Sequence, residues 1–207
     1  MAREDRLTTL ELLWAAWEQH GQALSAGAVA TTDPAWRLDR ADAVRPRGRM
    51  AVWALAPGWQ VREAPPTHAT AAALLGDFNR PDGIASGQAD QVAAGAREDA
   101  ATYTAAQLIQ QFAVAGPWAI ATARQLGPVV VDYFGRALLR LDEAVSIGIL
   151  EATVHLLDLQ RALGVPPDVP AAGVEHTVAL LAEMAPPLDF IELATGRSSV
   201  ALFPVLR

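Results

Sequence analysis

Residues 141–164 read LDEAVSIGILEATVHLLDLQRALG, and the fold turns on how this stretch is read. It predicts one helix, Leu141 to Gly164, with both ends marked. Asp142 can cap the start with acidic Glu143 in the first turn, and Gly164 followed by Pro166 closes the end. Val145, Ile147, Ile149, Leu150, Val154, Leu156, Leu157 and Leu159 point to nearly every side, so most of the helix should be buried. Against that apolar ground, Ala144, Gly148, Glu151, His155, Asp158 and Ala162 follow one another at helical spacing. They form one stripe, small at its ends and ionisable in the middle. A carboxylate, an imidazole and a second carboxylate inside a buried helix are costly unless they are paired or bind a metal. Glu151 and His155 stand one turn apart and can converge on one ion.

Outward from this helix, Val129–Phe134 is a β-branched and aromatic run, read as a short extended piece. Ala105 to about Leu126 predicts a strong helix with Thr104 and Gln107 at capping-box spacing. Leu108, Phe112, Ala115 and Ala119 form its apolar stripe, and Gly116-Pro117 should kink it. Asp5 to about Ala26 predicts an amphipathic first helix with Thr8 and Glu11 as its capping box. Leu10, Trp14, Trp17 and Leu24 line one side of it, and His20 is expected to be partly buried beside Trp17 rather than a ligand. Thr67–Asn79 reads as a short helix stopped before Pro81, and Asp90 to about Ala101 as a weak, alanine-rich one. Ala171–Met184 is the last long helix, ended by Pro186-Pro187. Its buried side is read as Val174, Val178 and Leu181, with His176 facing solvent. The tail from Phe190 to Arg207 should hold a short helix and a strand at Val200–Val205. The sum is an all-α protein: four long helices with long irregular connections and a short C-terminal tail, forming one domain over residues 1–207.

At 52% hydrophobic residues the chain can build a substantial core, while no apolar run is long enough to span a membrane. With no signal-peptide pattern in MAREDRLTT, a soluble cytoplasmic protein is expected. The chain has no cysteine, which excludes disulfides, thiolate metal ligands and a protein thiol nucleophile, so any thiol chemistry must borrow its thiol. A net charge of −7 argues against a nucleic-acid partner.

Thr31–Pro66 has a different character. Arg37, Arg40, Arg45, Arg47 and Arg49 crowd together, prolines stand at 34, 46, 57, 65 and 66, and no period holds. Such a segment reads as a long irregular loop, either solvated or in contact with an anionic ligand.

These residues carry a resemblance. Glu151-x-x-x-His155-x-x-Asp158-x-x-x-Ala162-Leu163-Gly164 resembles the closing motif of the mycothiol-dependent maleylpyruvate isomerase family, within the larger DinB-like group of metal-binding helical bundles. LLGDFNRPDG at 74–83 and IELATGR at 191–197 are similar to it as well. The resemblance implies a DinB-like four-helix bundle holding a divalent metal, usually zinc. Glu151 and His155 match two of the family's ligands, and the third is a histidine closing a Gly-Trp-x-Val-x-x-x-x-x-His helix. Gly58-Trp59-Gln60-Val61 copies the start of that motif, but His68 falls one residue beyond the family's spacing, and Pro65-Pro66 would break the helix between. His68 is therefore a third ligand only if a loop carries it inward. With codons typical of a GC-rich gene, Arg37–Met50 read one base out of register gives a Gly-Trp-x-Val-x-x-x-x-x-His-like string. On that reading residues 37–66 are a frame-shifted segment and one metal ligand is lost. Asp158 either supports the ligands from behind or is a surface carboxylate paired with Arg161.

The activity so implied is metal-assisted activation of a low-molecular-weight thiol, mycothiol or another, for cis-trans isomerisation or thiol transfer on a small-molecule substrate. In the isomerase the thiolate adds to a cis-alkene conjugated to a carbonyl, and rotation and elimination follow. A metal-dependent hydrolase would need the same ligands, and a non-catalytic bundle with a degraded metal site would explain the altered segment.

Overall fold

The computed structural model describes residues 1–30, 59–83, 105–199, 201, 202, 204 and 205. The frame-shift reading of Arg37–Met50, the helix at Asp90–Ala101 and the Thr104 cap lie outside these residues. The described chain is mostly helical: α1 (Arg3–Ala30), α2 (Ala71–Phe78), α3 (Ala105–Leu126), α4 (Leu141–Leu163), α5 (Ala171–Met184) and α6 (Pro187–Ala194). A small antiparallel hairpin of β1 (Val130–Tyr133) and β2 (Ala137–Arg140) stands between α3 and α4.

The first helix begins earlier than its sequence suggests. Its acidic first turn suits the positive end of the helix dipole, and the Asp5 carboxylate accepts from the Ala2 backbone N–H at 3.3 Å, one half of a capping box. Thr8 is thus interior and exposed, not a cap. Leu7, Leu10, Leu13, Trp14 and Trp17 face the core. Trp17 donates its indole N–H to the Ala152 carbonyl (2.9 Å), and Arg6 reaches Glu143 (2.9 Å), so α1 and α4 run in the same direction. Arg3 donates to the Ala123 carbonyl in the last turn of α3 (3.0 Å), which makes α3 antiparallel to α1.

Among the described side chains of α3, Gly116, Ala119, Ile120 and Ala123 are buried and form one helical stripe. A Cβ on Gly116 would overlap the Trp14 indole, so this glycine is what lets the two helices approach. Helix α3 is continuous through Pro117.

The hairpin replaces the single extended piece read from Val129–Phe134. Val131 pairs with Leu139, and both are fully buried. Its turn is tight: Phe134 and Gly135 both have positive φ (55° and 67°), and Asp132 accepts from the Gly135 N–H. Residues 59–67 strap both edges of the hairpin. Arg62 donates to Val130 (3.0 Å) and Asp132 to Gln60 (2.9 Å) on one edge, and Thr67 donates to Leu138 (2.8 Å) on the other. The indole of Trp59 ties the strap to α3 through the Ala119 carbonyl (3.0 Å).

From β2 the chain passes without a loop into α4. Arg140, not Asp142, is the residue at the cap position, with no side-chain capping bond, and Asp142 in the first turn pairs with Arg140 at 3.0 Å. The other end closes as expected, with Gly164 in the left-handed region (φ 68°). Nearly all of α4 between Leu141 and Leu150 is buried.

Helix α5 returns antiparallel against α4 and α1. Its buried side is Gly173, Thr177 and Leu180, one residue round from the expected Val174 and Val178, which are 41% and 59% exposed. The close approach decides this, because Gly173 lies against Leu13, where a Cβ would meet the leucine at 2.8 Å. His176 is accordingly half-buried rather than solvent-facing. The tail holds the short helix α6, and its described residues beyond 198 form no strand.

Candidate functional site

Buried side chains along α4 fall into two kinds. Near its start, the Glu143 carboxylate accepts from Arg6 (2.9 Å), from Arg140 (3.3 Å) and from the first backbone N–H of α2, Ala71 (2.7 Å). Near its end, the fully buried Gln160 amide bonds both backbone groups of Asp168 (2.7 and 3.1 Å) and meets His20 Nε2 at 2.8 Å. These two side chains are satisfied, and they tie α4 to α1, α2 and the loop before α5.

Between them the stripe read from the sequence is different. Glu151 and His155 lie on one face, with His155 Nε2 3.1 Å from Glu151 Oε2, and Asp158 Oδ2 lies 3.5 Å from the other ring nitrogen. Their side chains retain 27%, 15% and 23% of their accessible surface, in the order Glu151, His155, Asp158. Both ring nitrogens of His155 are enclosed and neither has a hydrogen bond of acceptable geometry, despite the short distances to the carboxylates. Asp158 also pairs with Arg161 (3.3 Å), so both roles read for it from the sequence are compatible with its contacts.

The donor geometry can be tested against a divalent ion. Two ligands each about 2.1 Å from a tetrahedral zinc stand about 3.4 Å apart. The 3.1 Å between Glu151 and His155 fits one edge of such a shell. Asp158, on the far ring nitrogen, fits the orienting carboxylate that commonly backs a metal-binding histidine. A third protein donor is the difficulty. The chain has four histidines, and the structure gives the other three different surroundings. His68, ahead of α2, contacts Thr67 (2.9 Å) and Asp77 in the last turn of that helix (3.2 Å). His20 meets Gln160, and His176 lies in the field of Arg6, the N-terminal amine and Glu143. Among the described residues no group of three or more His, Asp or Glu side chains is placed to hold a metal ion.

No family model matches the chain, and no curated protein or solved structure matches it significantly. Among the described residues no helix is long and apolar enough to cross a membrane.

One residue near the site escaped the sequence reading. Burial first, and then the Glu151 carboxylate, push the Tyr133 phenol above its ordinary range, which places the tyrosine in the field of Glu151. The alternation of Val129, Val131 and Tyr133 would have put it on the inner face of the hairpin, had Ala137–Arg140 been recognised as the second strand.

Proposed function

We propose that the protein is a DinB-like metal-binding helical bundle that uses a divalent ion, zinc in the first instance, to activate a low-molecular-weight thiol for cis-trans isomerisation or thiol transfer. The observation that carries the reading is the His155 imidazole, enclosed and without a hydrogen bond, beside Glu151 at a separation that suits two ligands of one ion. Glu151 and His155 would hold the ion, and Asp158 would orient the imidazole through Nδ1. A bound ion would supply Lewis acidity that keeps the thiol ionised at neutral pH. The absence of cysteine agrees with a thiol brought in from solution. Mycothiol is the thiol suggested by the resemblance of residues 151–164, and the substrate is a small unsaturated carbonyl compound on the same ground.

A second reading, a bundle whose metal site is degraded and non-catalytic, is favoured by the surroundings of His20, His68 and His176. Two protein ligands rarely hold zinc tightly. Both readings predict the same ligand pair and differ in affinity and turnover. Zinc titration after exhaustive dialysis separates them. His155→Ala and Glu151→Gln should each weaken binding at least tenfold, while His176→Gln leaves it unchanged. Equal losses from His155→Ala and His176→Gln would remove the assignment of the centre to α4. Stoichiometric zinc retained through dialysis would defeat the degraded-site reading, and His68→Ala then tests whether a loop histidine supplies the third ligand. Turnover that persists without added thiol would defeat the thiol-dependent reading in favour of hydrolysis.

A further inference from the structure

We propose that His20 is an acid-released latch: with its ring neutral it ties α1 to the α4–α5 connection through Gln160, and a proton on Nε2 breaks the tie. The proposal stands apart from the metal-centre reading and uses none of its residues.

The latch follows from counting donors and acceptors. Gln160 is fully buried in the last turn of α4. Asp168 fixes the orientation of its amide: Oε1 accepts from the Asp168 N–H (3.1 Å), and Nε2 donates to the Asp168 carbonyl (2.7 Å). The second Nε2 hydrogen is left for His20, whose Nε2 lies 2.8 Å away. An amide nitrogen only donates, so the His20 Nε2 accepts and the ring proton sits on Nδ1. Once Nε2 is protonated, it is a donor facing a donor. Turning the Gln160 amide over does not help. Its Nε2 would then meet the Asp168 N–H and its Oε1 the Asp168 carbonyl, so two bonds are lost to gain one. The charged ring therefore leaves, and an enclosed N–H of Gln160 loses its acceptor.

Gln160 organises the connection that the latch holds. Its backbone carbonyl accepts from the Val165 N–H (3.1 Å), and its side chain holds both backbone groups of Asp168. One turn before His20, the Trp17 indole donates to the Ala152 carbonyl (2.9 Å), a bond that no proton disturbs. Release of His20 thus loosens the 164–170 connection while Trp17 keeps α1 on α4. The charged side chains on the elements that meet here are Glu18 on α1, Asp158 and Arg161 on α4, and Asp168 ahead of α5. Asp158 and Arg161 pair with each other (3.3 Å), and Asp158 lies on the His155 side of α4. Among the described residues, neither Glu18 nor Asp168 forms an ion pair with the imidazole. No carboxylate rewards the charged ring in the latched form, so acid favours release and neutral pH favours the tie.

The test variant is His20→Gln, because a glutamine carbonyl can accept the same Gln160 hydrogen and does not titrate. Hydrogen exchange read by mass spectrometry follows residues 161–170 in both proteins at about pH 7.5 and about pH 5.5. Comparing the proteins at one pH cancels the chemical exchange rate. They should agree within about twofold at the higher pH. At the lower pH the wild type should exchange about fivefold faster, the worth of one hydrogen bond. Histidine nitrogen NMR of the wild type gives a second readout, in which the His20 ring at neutral pH carries its proton on Nδ1 and none on Nε2. The Nε2–H tautomer overturns the proposal, as does equal exchange at about pH 5.5. Slower exchange in the wild type at that pH overturns it too, because a carboxylate then holds the charged ring in place. If His20→Gln is already loosened at about pH 7.5, the wild-type spectra decide. The Gln160 side-chain N–H₂ signals should move as His20 takes up its proton, and signals that stay fixed overturn the latch.

Discussion

Removing the Glu143 carboxylate should cost about 3–4 kcal/mol of folding stability, because three chain segments meet on it. Glu143 is 7% exposed. Glu143→Ala leaves the buried N–H of Ala71, the first of α2, without its acceptor, at about 1–3 kcal/mol. It also takes from Arg6, 15% exposed, its nearest carboxylate. Breaking a fully buried pair costs about 3–5 kcal/mol. Here the cost falls below that range, about 1–2 kcal/mol, since Arg6 is partly exposed and keeps the Asp142 carbonyl at 2.7 Å and the Asp142 carboxylate at 3.6 Å. Arg140 is more than half exposed, and its share is within the ~0–1 kcal/mol of a surface pair. With a urea slope of about 2 kcal/mol per molar, the midpoint should fall by about 1.5–2 M. Glu143→Gln keeps the shape and one acceptor but turns an amide N–H₂ towards Arg6 or Ala71, so its loss should be smaller, about 2 kcal/mol. A thermodynamic cycle with Arg6→Met should return a coupling above about 1 kcal/mol. A midpoint shift under about 0.5 M for Glu143→Ala, or a glutamine variant less stable than the alanine one, would refute the view that this carboxylate joins α1, α2 and α4.

Three further outcomes follow from particular contacts. Gly116→Ala, which in an unobstructed helix would stabilise by up to ~1 kcal/mol, should instead destabilise by about 1–3 kcal/mol in urea, because the methyl group overlaps Trp14. Gln160→Leu removes an acceptor and donor for Asp168 and the contact with His20, and should lower stability by about 2–3 kcal/mol. The imidazole of His176 is held below its ordinary pKa by burial, then by Arg6 and the N-terminal amine, with Glu143 opposing them. The unfolded chain therefore binds a proton before the folded one does, and stability falls as pH drops through the ordinary histidine range towards the lowered folded value. Urea midpoints of His176→Gln should lose less than the wild type between about pH 7 and pH 5, and identical slopes would remove the claim.

Sequence reasoning located α4 because its signals agree: apolar residues on nearly every side, and a glycine that must adopt positive φ at the end. It also found the Glu151–His155 pair, since helical spacing alone puts two such residues on one face. The hairpin was hidden for a physical reason. Ala137, Leu138, Leu139 and Arg140 are all good helix formers and run straight into a helix, so only tertiary pairing with β1 and Thr67 makes them a strand. Tyr133 was lost with it. On α5 the valines suggested a buried side, but the helix passes close to Leu13 at Gly173, and turning that glycine inward turns Val174 and Val178 out. The early start of α1 came from the Asp5 carboxylate reaching back to Ala2, a signal that a search for Ser or Thr caps passes over.

Along α4 the buried polar groups near the two ends are paired, while the Thr153 hydroxyl and the His155 ring in its middle have no hydrogen bond. Glu143 and Gln160 carry buried polar groups, and every strong donor or acceptor on them meets a partner on another segment, as the energetics of burial require. His155 sits between them on the same helix, and both of its ring nitrogens lack a hydrogen bond. A residue retained only for packing would lose nothing as leucine and would avoid that cost. Among the described residues the ring has no hydrogen-bond partner, and it stands between a carboxylate that could share a cation and another that could orient the ring. His155→Leu discriminates the two cases. If the imidazole is structural, the substitution leaves stability unchanged or lower whatever is added. If it is a ligand, the metal-free variant should be as stable as the wild type or more so, by about 1–2 kcal/mol, while added zinc should stabilise only the wild type. Equal stabilisation of both proteins by zinc would place the metal elsewhere and remove the argument.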